Sequence, residues 1–531
     1  MPTLEWIGKD KVVNHHQEVP YRVLERQYSY DEAGQHAEDN GSENMIIHGD
    51  NLEALKALLP RYEGKVKCIY IDPPYNTGNE GWVYNDNVND PKIKRWLGEV
   101  VGKEGEDLSR HDKWLCMMYP RLKLLQRLLA EDGAIFISID DVEFYNLRLI
   151  CNEIFGDHNF IATIIWRKNY APKGTAKHFS EDHDYILVYG KSAEQWIPHK
   201  MPRTEKQNKA YKNPDNDPRG LWRPNNLAAR NFYSKGTYSI TCPSGRVIKG
   251  PPAGSYWRVS EEKFWEMDRD GRIWWGKDGN NVPAPKIFLS EVADGIVPQT
   301  FWSYEEVGHT QDAKKEIKTI FTGETPFDTP KPVRLIERIL QIASDPDSII
   351  LDSFAGSGTT AHAVLNMNKA DGGNRKFILV EMMNYADSIT AERVKRVIDG
   401  YGEDKKAVEG TGGNFSYYEL GPVLLLPNGN LNEEVGPQKI REYVYYMETK
   451  EPLPAEQPTD EPYFMGLCRN TAYYFYYERE SVTTLDHAFL ATVQTKAEGY
   501  TIYADLCAIP QETLRKHNIT FKKIPRDIAR L

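Results

Sequence analysis

The chain has 531 residues, of which 40% are hydrophobic and 27% charged, and its formal net charge is −11. This length exceeds what one hydrophobic core usually supports, so we expect two or three domains. No run approaches the roughly 18 consecutive apolar residues of a membrane helix, and the amino terminus lacks the basic-then-apolar pattern of a signal peptide. The six cysteines form no CxxC pair. This pattern argues against a disulfide framework or a zinc site, and it predicts a cytoplasmic protein that needs no metal.

The charge is distributed unevenly along the chain. Residues 161–260 contain 17 Lys and Arg side chains against 7 Asp and Glu, together with several aromatic residues. A positive balance of this kind is typical of a surface that contacts nucleic-acid phosphates, but a solvated, loop-rich insertion would have it too. Charge alone leaves both interpretations open, so the flanking motifs have to decide between them.

Short apolar runs alternate with amphipathic helical patterns, which predicts an α/β fold with a mainly parallel sheet covered by helices. The predicted strands are residues 45–47, 66–71, 134–139, 185–189, 348–351 and 376–380. One predicted helix covers residues 115–129 and is ended by the turn 131–133, and another begins after residues 329–332.

A glycine turn connects the predicted strand 348–351 to a helix that begins near Thr360. Glycines at positions 356 and 358 allow a sharp turn and a close approach to a ligand, beside a helix N-terminus whose amides favour a carboxylate. The next predicted strand is followed by Glu381, an acid that can accept hydrogen bonds from both hydroxyls of a ribose. The pattern therefore predicts a site for a nucleoside-containing cofactor. The sequence of the turn is Asp352-Ser353-Phe354-Ala355-Gly356-Ser357-Gly358-Thr359.

The run Asp72-Pro73-Pro74-Tyr75 directly follows another predicted strand, at the end where open α/β sheets place their sites. Two adjacent prolines restrict the backbone and remove its donors, so the Asp72 carboxylate and the Pro73 carbonyl form a pair of acceptors. Such a pair suits one –NH₂ group, because holding both hydrogens of an exocyclic amine frees the lone pair of its nitrogen. Tyr75 supplies a flat face on which a base can stack. These four residues predict a pocket for the amino group of a base.

A third acid, Asp50, follows the predicted strand 45–47. It either caps the helix that comes next or accepts a hydrogen bond from the amino group of an adenine ring. Sequence alone does not separate these two roles.

The combination of an FxGxG loop with the tetrapeptide DPPY resembles the signature of the amino DNA methyltransferases. Because DPPY precedes FxGxG in this chain, the order is similar to that of the β class. Five runs resemble the modification subunits of type III restriction systems, namely residues 48–52, 72–78, 139–141, 165–168 and 351–360. The resemblance covers residues 44 to 420 in outline.

This resemblance implies a Rossmann-like methyltransferase core with circularly ordered motifs, which uses S-adenosylmethionine as its cofactor. Lys331 joins the cofactor positions because the family's segment before its cofactor loop is similar to residues 329–332. The implied cofactor positions are Asp50, Lys331, Asp352, Phe354, Ala355, Gly356, Gly358, Thr359 and Glu381. The implied catalytic positions are Asp72, Pro73, Pro74 and Tyr75.

Composition and the resemblance together predict a division of the chain. An inserted target-recognition domain is expected where the sequence is rich in Pro, Gly, Asn, Trp and basic residues and lacks sustained periodicity. A linker rich in Pro and Glu is expected after the core, followed by a strand-rich module that would contact a partner or a second copy. The implied parts are an N-terminal extension (1–43), the catalytic half of the core (44–191), the target-recognition domain (192–325), the cofactor-binding half (326–421), and a linker with a C-terminal α+β module (422–531).

The implied function is methylation of the N6 amino group of adenine in double-stranded DNA, after the base has flipped out of the helix. A leading aspartate in DPPY, rather than a serine, favours adenine by resemblance, while cytosine N4 stays open because the same pocket chemistry serves both bases. A non-catalytic DNA-recognition subunit is a further alternative. The resemblance implies a prokaryotic or phage-encoded homodimer in a restriction-modification system, with a helicase-nuclease restriction subunit as a candidate partner.

Overall fold

The structure is a computed structural model that describes residues 3–77, 95, 99, 110–292, 295–456, 458 and 460–526. Gly78, the last residue of one run that carries the family resemblance, lies outside the described residues. The chain forms two compact units, residues 1–198 with 299–531 and residues 199–298. Of the helices that the structure describes, none has the length and hydropathy needed to cross a bilayer.

A mixed sheet of eleven strands forms the centre of the larger unit. Its strands are β1 (Arg22–Asp31), β2 (Gly34–His36), β3 (Met45–His48), β4 (Val66–Ile71), β5 (Leu129–Ile139), β6 (Phe160–Arg167), β7 (His183–Gly190), β8 (Phe301–Trp302), β9 (Ile349–Asp352), β10 (Lys376–Glu381) and β11 (Asn414–Val423). Their order across the sheet is β8-β6-β7-β5-β4-β9-β10-β3-β11-β1-β2. Strands β9 and β10 therefore lie between β4 and β3, although they come far later in the chain.

The middle of the sheet is parallel from β5 through β4, β9, β10 and β3 to β11. Helices pack against these strands, and strands buried on both faces have continuous apolar sequences. Antiparallel pairs flank the region, with β7 beside β5 and β1 beside β11. The predicted α/β fold with a mainly parallel sheet is confirmed.

The helices of this unit bury one apolar face each. In the helix that begins at Val333, for example, Ile336 and Leu340 lie on the buried face, as the sequence predicts. The longer helices are α1 (Asn51–Tyr62), α2 (Arg110–Leu128), α3 (Phe144–Phe155), α4 (Thr310–Ile320), α5 (Val333–Ala343), α6 (Thr359–Asp371), α7 (Glu392–Asp399) and α8 (Pro437–Thr449). Short helical turns are found at Lys9–Val12, His15–Glu18 and Tyr304–Val307.

Several element boundaries differ from the predicted ones. Residues 131–133 do not form a turn after α2, because β5 begins immediately at Leu129 and includes them. The pairing of β5 with β4 is irregular between Val66 and Cys68, which accommodates these polar residues in the strand. The predicted N-terminal extension contains β1, a ten-residue strand that pairs with β11. An apolar pattern does not reveal such pairing, because the partner lies almost 400 residues away in sequence.

The segments around the predicted recognition domain and linker also differ. The smaller compact unit covers residues 199–298 and is shorter than the predicted 192–325. Residues beyond it return to the larger unit, because β8 pairs in parallel with β6. The predicted linker contains α8, which starts with Pro437 in its first turn, where a proline does not break a helix.

The C-terminal module is a four-stranded sheet within the larger unit. Two small hydrophobic clusters support it, and Tyr474 is buried in one of them. Its elements are β12 (Phe464–Cys468), β13 (Thr471–Phe475), β14 (Gly499–Ala504), α9 (Gln511–Lys516) and β15 (Ile519–Lys523). The last three strands are parallel to one another, and β12 is antiparallel to β13.

The smaller unit is built from short antiparallel strands and the helix Glu261–Arg269. Its core contains the buried side chains of Trp257 and Phe264. The buried Lys286 ammonium forms ion pairs with Asp215 and Asp217. This compact unit therefore has its own apolar core and its own buried ion cluster.

Candidate active site

Four neighbouring parallel strands, β4, β9, β10 and β3, end at the same edge of the sheet. Asp72 directly follows β4, Asp352 ends β9, Glu381 ends β10, and Asp50 follows β3 by two residues. Ligands of open α/β folds bind at this carboxyl edge. The topology thus gathers four acids at one edge, two from an early part of the chain (Asp50 and Asp72) and two from a late part (Asp352 and Glu381).

Buried contacts hold the segment that follows β4. Pro73 and Pro74 are buried, and the Pro74 carbonyl accepts a 2.7 Å hydrogen bond from the Trp114 indole. The next residue but one, Asn76, has a φ of +61° and donates a 2.5 Å hydrogen bond to the Glu143 carboxylate. Glu143 is fully buried, so this bond is shielded from water. Sequence reasoning missed Glu143, because it belongs to no motif and its role depends on a distant partner.

The Asp72 carboxylate forms an ion pair with the Lys331 ammonium, which also lies 5.1 Å from the centre of the Tyr75 ring. Burial raises the pKa of the Asp72 carboxyl above its ordinary value, and the charge of Lys331 opposes that rise. The Lys331 carbonyl accepts a 3.3 Å hydrogen bond from the Thr359 hydroxyl in the glycine turn. Lys331 therefore joins the two predicted sites, with its backbone at the cofactor loop and its ammonium in the amine pocket.

A second ion pair lies beside the first. The Lys168 ammonium is 2.5 Å from the carboxylate of Asp184, a buried residue of β7. The charge of Asp184 contributes to raising the pKa of both Asp72 and Tyr75, so Asp184 lies near them. Sequence reasoning missed this pair, although Lys168 ends one of the runs that resemble the family.

The Asp352 carboxylate supports the loop that follows β9. One of its oxygens accepts a 3.0 Å hydrogen bond from the Phe354 amide, and the other accepts a 2.6 Å bond from the Thr360 hydroxyl. Burial raises the pKa of Asp352 to about 7. This carboxylate is thus part of the internal framework of the loop.

The two glycines of the turn have backbone conformations that favour glycine. Gly356 has a φ of +52° and Gly358 a φ of +79°. A Cβ at Gly356 would lie 3.1 Å from the Phe327 ring, and a Cβ at Gly358 would lie 3.0 Å from the Thr390 carbonyl. The turn therefore needs glycine at both positions, for backbone conformation and for space.

The Glu381 carboxylate accepts hydrogen bonds from the Gly356 amide at 2.8 Å and from the Met383 amide at 2.9 Å. The residue is 3% exposed, and burial raises its pKa to about 7. The Met382 amide is a further donor to this carboxylate. Glu381 therefore holds the loop, and its role toward the hydroxyl groups of a ribose stays a prediction.

Arg393 of α7 binds side chains of the same loop. Its fully buried guanidinium donates to the hydroxyls of Ser357 at 2.9 Å and Thr359 at 2.8 Å, and it lies 3.2 Å from the His362 ring. Burial lowers the pKa of Arg393 to about 10. No motif in the sequence pointed to this residue, because a lone arginine in an amphipathic helix resembles an ordinary surface charge.

Asp50 caps α1. Its carboxylate accepts hydrogen bonds from the amides of Leu52 at 2.8 Å and Glu53 at 3.3 Å, and it pairs with the buried guanidinium of Arg121 at 3.3 Å. The capping role is thus observed, and the role toward an adenine ring stays a prediction.

A cavity of about 410 Å³ lies at this edge of the sheet. Its volume falls in the range of roughly 300–1,000 Å³ that is usual for small-ligand sites. The predicted residues that line it are Asp72, Pro73, Tyr75, Lys331, Asp352, Phe354, Ala355, Gly356 and Thr359. Pro74, Asp50, Gly358 and Glu381 are not among its described lining residues. The lining residues that the sequence did not single out include Tyr70, Trp166, Lys168, Asp184 and Phe327.

The glycine-rich turn and the DPPY segment line one cavity at the carboxyl edge of a parallel sheet. This arrangement is typical of α/β proteins of the amino methyltransferase class. A family model described as DNA methylase, for N6 and N4 methyltransferases, matches residues 66–392. The chain belongs to this DNA methylase family.

Curated relatives include subunits of restriction-modification enzymes. The StyLTI Mod subunit of a type III restriction-modification enzyme from Salmonella typhimurium is 35% identical over 74% of this chain and 62% of its own length. The EcoPI Mod subunit of Escherichia phage P1 is 33% identical over 71% of this chain and 63% of its own length. The type II methyltransferase M.KpnI of Klebsiella pneumoniae is 32% identical over 65% of this chain and 81% of its own length. The chain thus spans less than two thirds of these two Mod subunits.

Proposed function

We propose that the protein is an S-adenosylmethionine-dependent DNA methyltransferase that modifies the N6 amino group of adenine. One observation carries this proposal: Asp72 and Tyr75 line the same cavity as Phe354, Ala355 and Gly356 of the glycine turn. An amine acceptor and a methyl-donor site have to share one cavity, because the transferred carbon must reach the nitrogen directly. Membership of the DNA methylase family supports the same chemistry.

The residues around the glycine turn fit S-adenosylmethionine. Gly356 lies against the Phe327 ring, which lines the same cavity, and only a glycine allows this close approach. Thr359 begins α6, and the amides of a helix N-terminus suit a carboxylate. Glu381 binds the Gly356 amide and, as the acid that ends β10, is the proposed acceptor of ribose hydroxyls. When bound, this cofactor supplies a methyl group that its sulfonium activates.

The residues of the amine pocket then prepare the nucleophile. Asp72 accepts one hydrogen of the target amine and the Pro73 carbonyl accepts the other, which moves the nitrogen toward tetrahedral geometry and frees its lone pair. Tyr75 stacks on the base and fixes its plane. After methylation the nitrogen carries an extra proton, and Asp72 lies where it can accept that proton. Burial raises the pKa of Asp72, which makes it a better base.

We assign DNA recognition to the compact unit 199–298. This segment contains 17 Lys and Arg against 11 Asp and Glu, in a chain whose net charge is −11. Phe232 is 77% exposed, and Tyr233 beside it is exposed too. The basic residues Arg230 and Lys235 flank this pair and are also exposed. Exposed aromatic rings between cationic side chains suit a surface that contacts bases and phosphates together.

Adenine is the proposed base because aspartate leads the DPPY segment. Cytosine N4 is the second candidate, since the matching family includes N4 enzymes and the Asp72 and Pro73 acceptors serve either amine. A non-catalytic recognition subunit would need neither these acceptors nor a cofactor site.

Tritium transfer tests the proposal directly. The full chain is incubated with methyl-tritiated S-adenosylmethionine and duplex DNA, and the digested nucleosides are separated. We expect the label in N6-methyladenine. Label in N4-methylcytosine would replace adenine by cytosine, and no label together with no cofactor binding would favour the non-catalytic subunit. Modification-sensitive sequencing of DNA from cells that express the chain identifies the base and the target sequence together.

We also propose that the protein works as a homodimer in the cytoplasm of a bacterium, within a restriction-modification system that includes a helicase-nuclease subunit. The support is that two relatives are named Mod subunits of type III enzymes. Light scattering of the purified chain should detect a species of twice the monomer mass, and a monomer at micromolar concentration would contradict the homodimer.

A further inference from the structure

We infer that Lys331 occupies the amine pocket when no cofactor is bound, and that the cofactor's carboxylate draws it away and so opens the pocket for the target base. The inference rests on the proposed function, because it concerns how the same site binds its two ligands. It makes Lys331 a positioning residue that links the cofactor to the base.

Lys331 makes the contacts that the target amine is expected to make. Its ammonium pairs with the carboxylate of Asp72 and lies 5.1 Å from the centre of the Tyr75 ring. The Lys331 side chain is only 12% exposed, so the ammonium lies inside the cavity. An ammonium and an exocyclic amine are both N–H donors, and they therefore compete for the same acceptor.

The backbone of Lys331 is attached to the opposite side of the site. Its carbonyl accepts a hydrogen bond from Thr359, the first residue of α6, at 3.3 Å. Pro330 and Pro332 flank it and restrict the backbone. The four-carbon side chain is the flexible part, with a compact charge at its end. Lys331 can therefore exchange partners by side-chain rotation, without movement of the segment that holds it.

The other acids of the cavity have partners of their own. Asp352 binds the Phe354 amide and the Thr360 hydroxyl, Asp184 pairs with Lys168, and Asp140 accepts the Val142 amide. Among these acids, Asp72 is the one with which Lys331 pairs. A buried ammonium does not give up a carboxylate without a replacement, because an unpaired buried charge is costly.

The bound cofactor provides that replacement. Its amino-acid carboxylate is expected at the N-terminus of α6, the side on which the Lys331 backbone is held. Lys331 can then leave Asp72 while its charge stays paired, and Asp72 becomes available to the target amine. Coupling of this kind is reciprocal, so the base must strengthen cofactor binding by the factor by which the cofactor strengthens base binding. We expect a factor of about 10, within the usual span of roughly 5–150.

A binding experiment without turnover isolates this coupling. Two duplexes carry the target sequence, one with adenine at the target position and one with purine, which lacks the 6-amino group. The dissociation constants of the full chain for both are measured by fluorescence anisotropy, with and without S-adenosylhomocysteine. Weaker pairing of purine with thymine contributes the same factor to the ratio of the two constants in every condition. The preference for adenine is therefore this ratio divided by the ratio for Asp72→Ala, which lacks the amine acceptor.

In the wild type, we expect little preference for adenine without S-adenosylhomocysteine and about a tenfold preference with it. In Lys331→Met, the preference should be about tenfold in both conditions, because Asp72 is always accessible. Lys369→Met is the matched control, since it also removes a lysine ammonium, but one that pairs with Glu409 and lies outside the described lining of the cavity. This control should behave like the wild type.

A second comparison uses the wild type alone, so it does not depend on the folding of a variant. 5′-Methylthioadenosine contains the nucleoside but no carboxylate, and it should not raise the preference for adenine. The inference is wrong if this compound acts as well as S-adenosylhomocysteine, or if Lys331→Met still needs S-adenosylhomocysteine for its preference. If the wild type neither prefers adenine nor transfers label, then the proposed function itself has failed.

Discussion

The predicted amine pocket and the glycine turn both contain acidic residues, but their carboxylates have different kinds of partner. Asp352 and Glu381 accept hydrogen bonds from within the protein, from the loop amides and the Thr360 hydroxyl. Asp72 follows a strand at the same edge of the sheet, but its carboxylate pairs with a flexible lysine side chain, Lys331. Asp352 and Glu381 therefore stabilise the loop, whereas Asp72 can exchange the Lys331 ammonium for the target amine.

This difference predicts that mutations of these acids fall into two groups with different effects. Changes at Asp72 should affect chemistry and leave the loop intact, because the loop hydrogen bonds described above are accepted by Asp352 and Glu381. Changes at Asp352 or Glu381 should affect stability and cofactor binding together. The following experiments test that division, from the largest expected effect to the smallest.

Asp72→Ala should lower the rate of methyl transfer by at least about 100- to 1,000-fold, because it removes a pre-placed acceptor of the target amine. The affinity for S-adenosylhomocysteine should not fall, and it should rise by up to about tenfold, because Lys331 loses the carboxylate that competes with that of the cofactor. Single-turnover kinetics and calorimetry measure the two quantities. Asp72→Asn keeps the shape of the side chain and one oxygen acceptor, so its rate of methyl transfer should lie between those of the wild type and Asp72→Ala. An active Asp72→Ala protein would contradict the assignment of the pocket.

Asp352→Ala should weaken both folding and cofactor binding. It leaves the Phe354 amide and the Thr360 hydroxyl without their acceptor, and a buried unsatisfied group costs about 1–3 kcal/mol. We expect the free energy of unfolding to fall by about 2–3 kcal/mol and the affinity for S-adenosylhomocysteine to fall by at least about tenfold. Chemical denaturation and calorimetry check this. Loss of activity with unchanged stability would show that Asp352 resembles Asp72 after all.

The affinity for S-adenosylhomocysteine should rise by up to about tenfold between pH 6 and pH 8, as Glu381 ionises. Burial raises the pKa of this carboxyl to about 7, and the ionised form accepts hydroxyl donors better than the protonated form. Calorimetry across this range measures the effect. In Glu381→Gln the profile should be flat, and an equally steep profile in that variant would exclude Glu381 as its cause.

The same pKa predicts a stability effect with a defined sign. Between the ordinary pKa of 4.5 and the folded value of about 7, folded Glu381 keeps a proton that the unfolded chain has released. The stability contribution of this group is therefore present below pH 4.5 and is lost as the pH rises toward 7. Denaturation of the wild type and of Glu381→Gln over this window should show a smaller decline in the variant.

The smallest effect is expected between Asp50→Ala and Asp50→Ser, a difference of about 1 kcal/mol in the free energy of unfolding, because both variants lose the ion pair with Arg121 and only Asp50→Ala loses the cap of α1. Asp50→Ser keeps a capping side chain and serves as the control. If capping is the whole role of Asp50, then Asp50→Ser should retain the affinity for S-adenosylhomocysteine within about twofold. A larger loss in Asp50→Ser would support contact with the adenine ring of the cofactor.

The sequence predicted those parts of the site that consist of consecutive residues. DPPY and the glycine turn each follow an apolar strand, and local chemistry is enough to recognise an acceptor pair or a ligand-binding turn. The parts that it missed are pairs of distant residues. Glu143 holds Asn76, Asp184 holds Lys168, and Arg393 holds the hydroxyls beside Gly358.

The same distinction applies to the fold. Apolar runs predicted the central strands, because burial on both faces leaves a continuous apolar pattern in the sequence. They did not predict β1 or β8, whose places depend on pairing with β11 and β6. Backbone hydrogen bonds between strands carry no side-chain pattern, so only the folded chain reveals such neighbours.

By itself, the sequence determined the class of fold, the two motifs and the amino-group chemistry, because each depends on residues that are close together in the chain. Only the tertiary structure decided which charges meet. It placed the Lys331 ammonium on Asp72, across 259 positions of sequence, and supplied the internal partners of Asp352 and Glu381. Electrostatic interactions act through space, and burial strengthens them. Only the folded protein therefore determines whether an acid at this edge is held by internal hydrogen bonds or pairs with a side chain that can exchange partners.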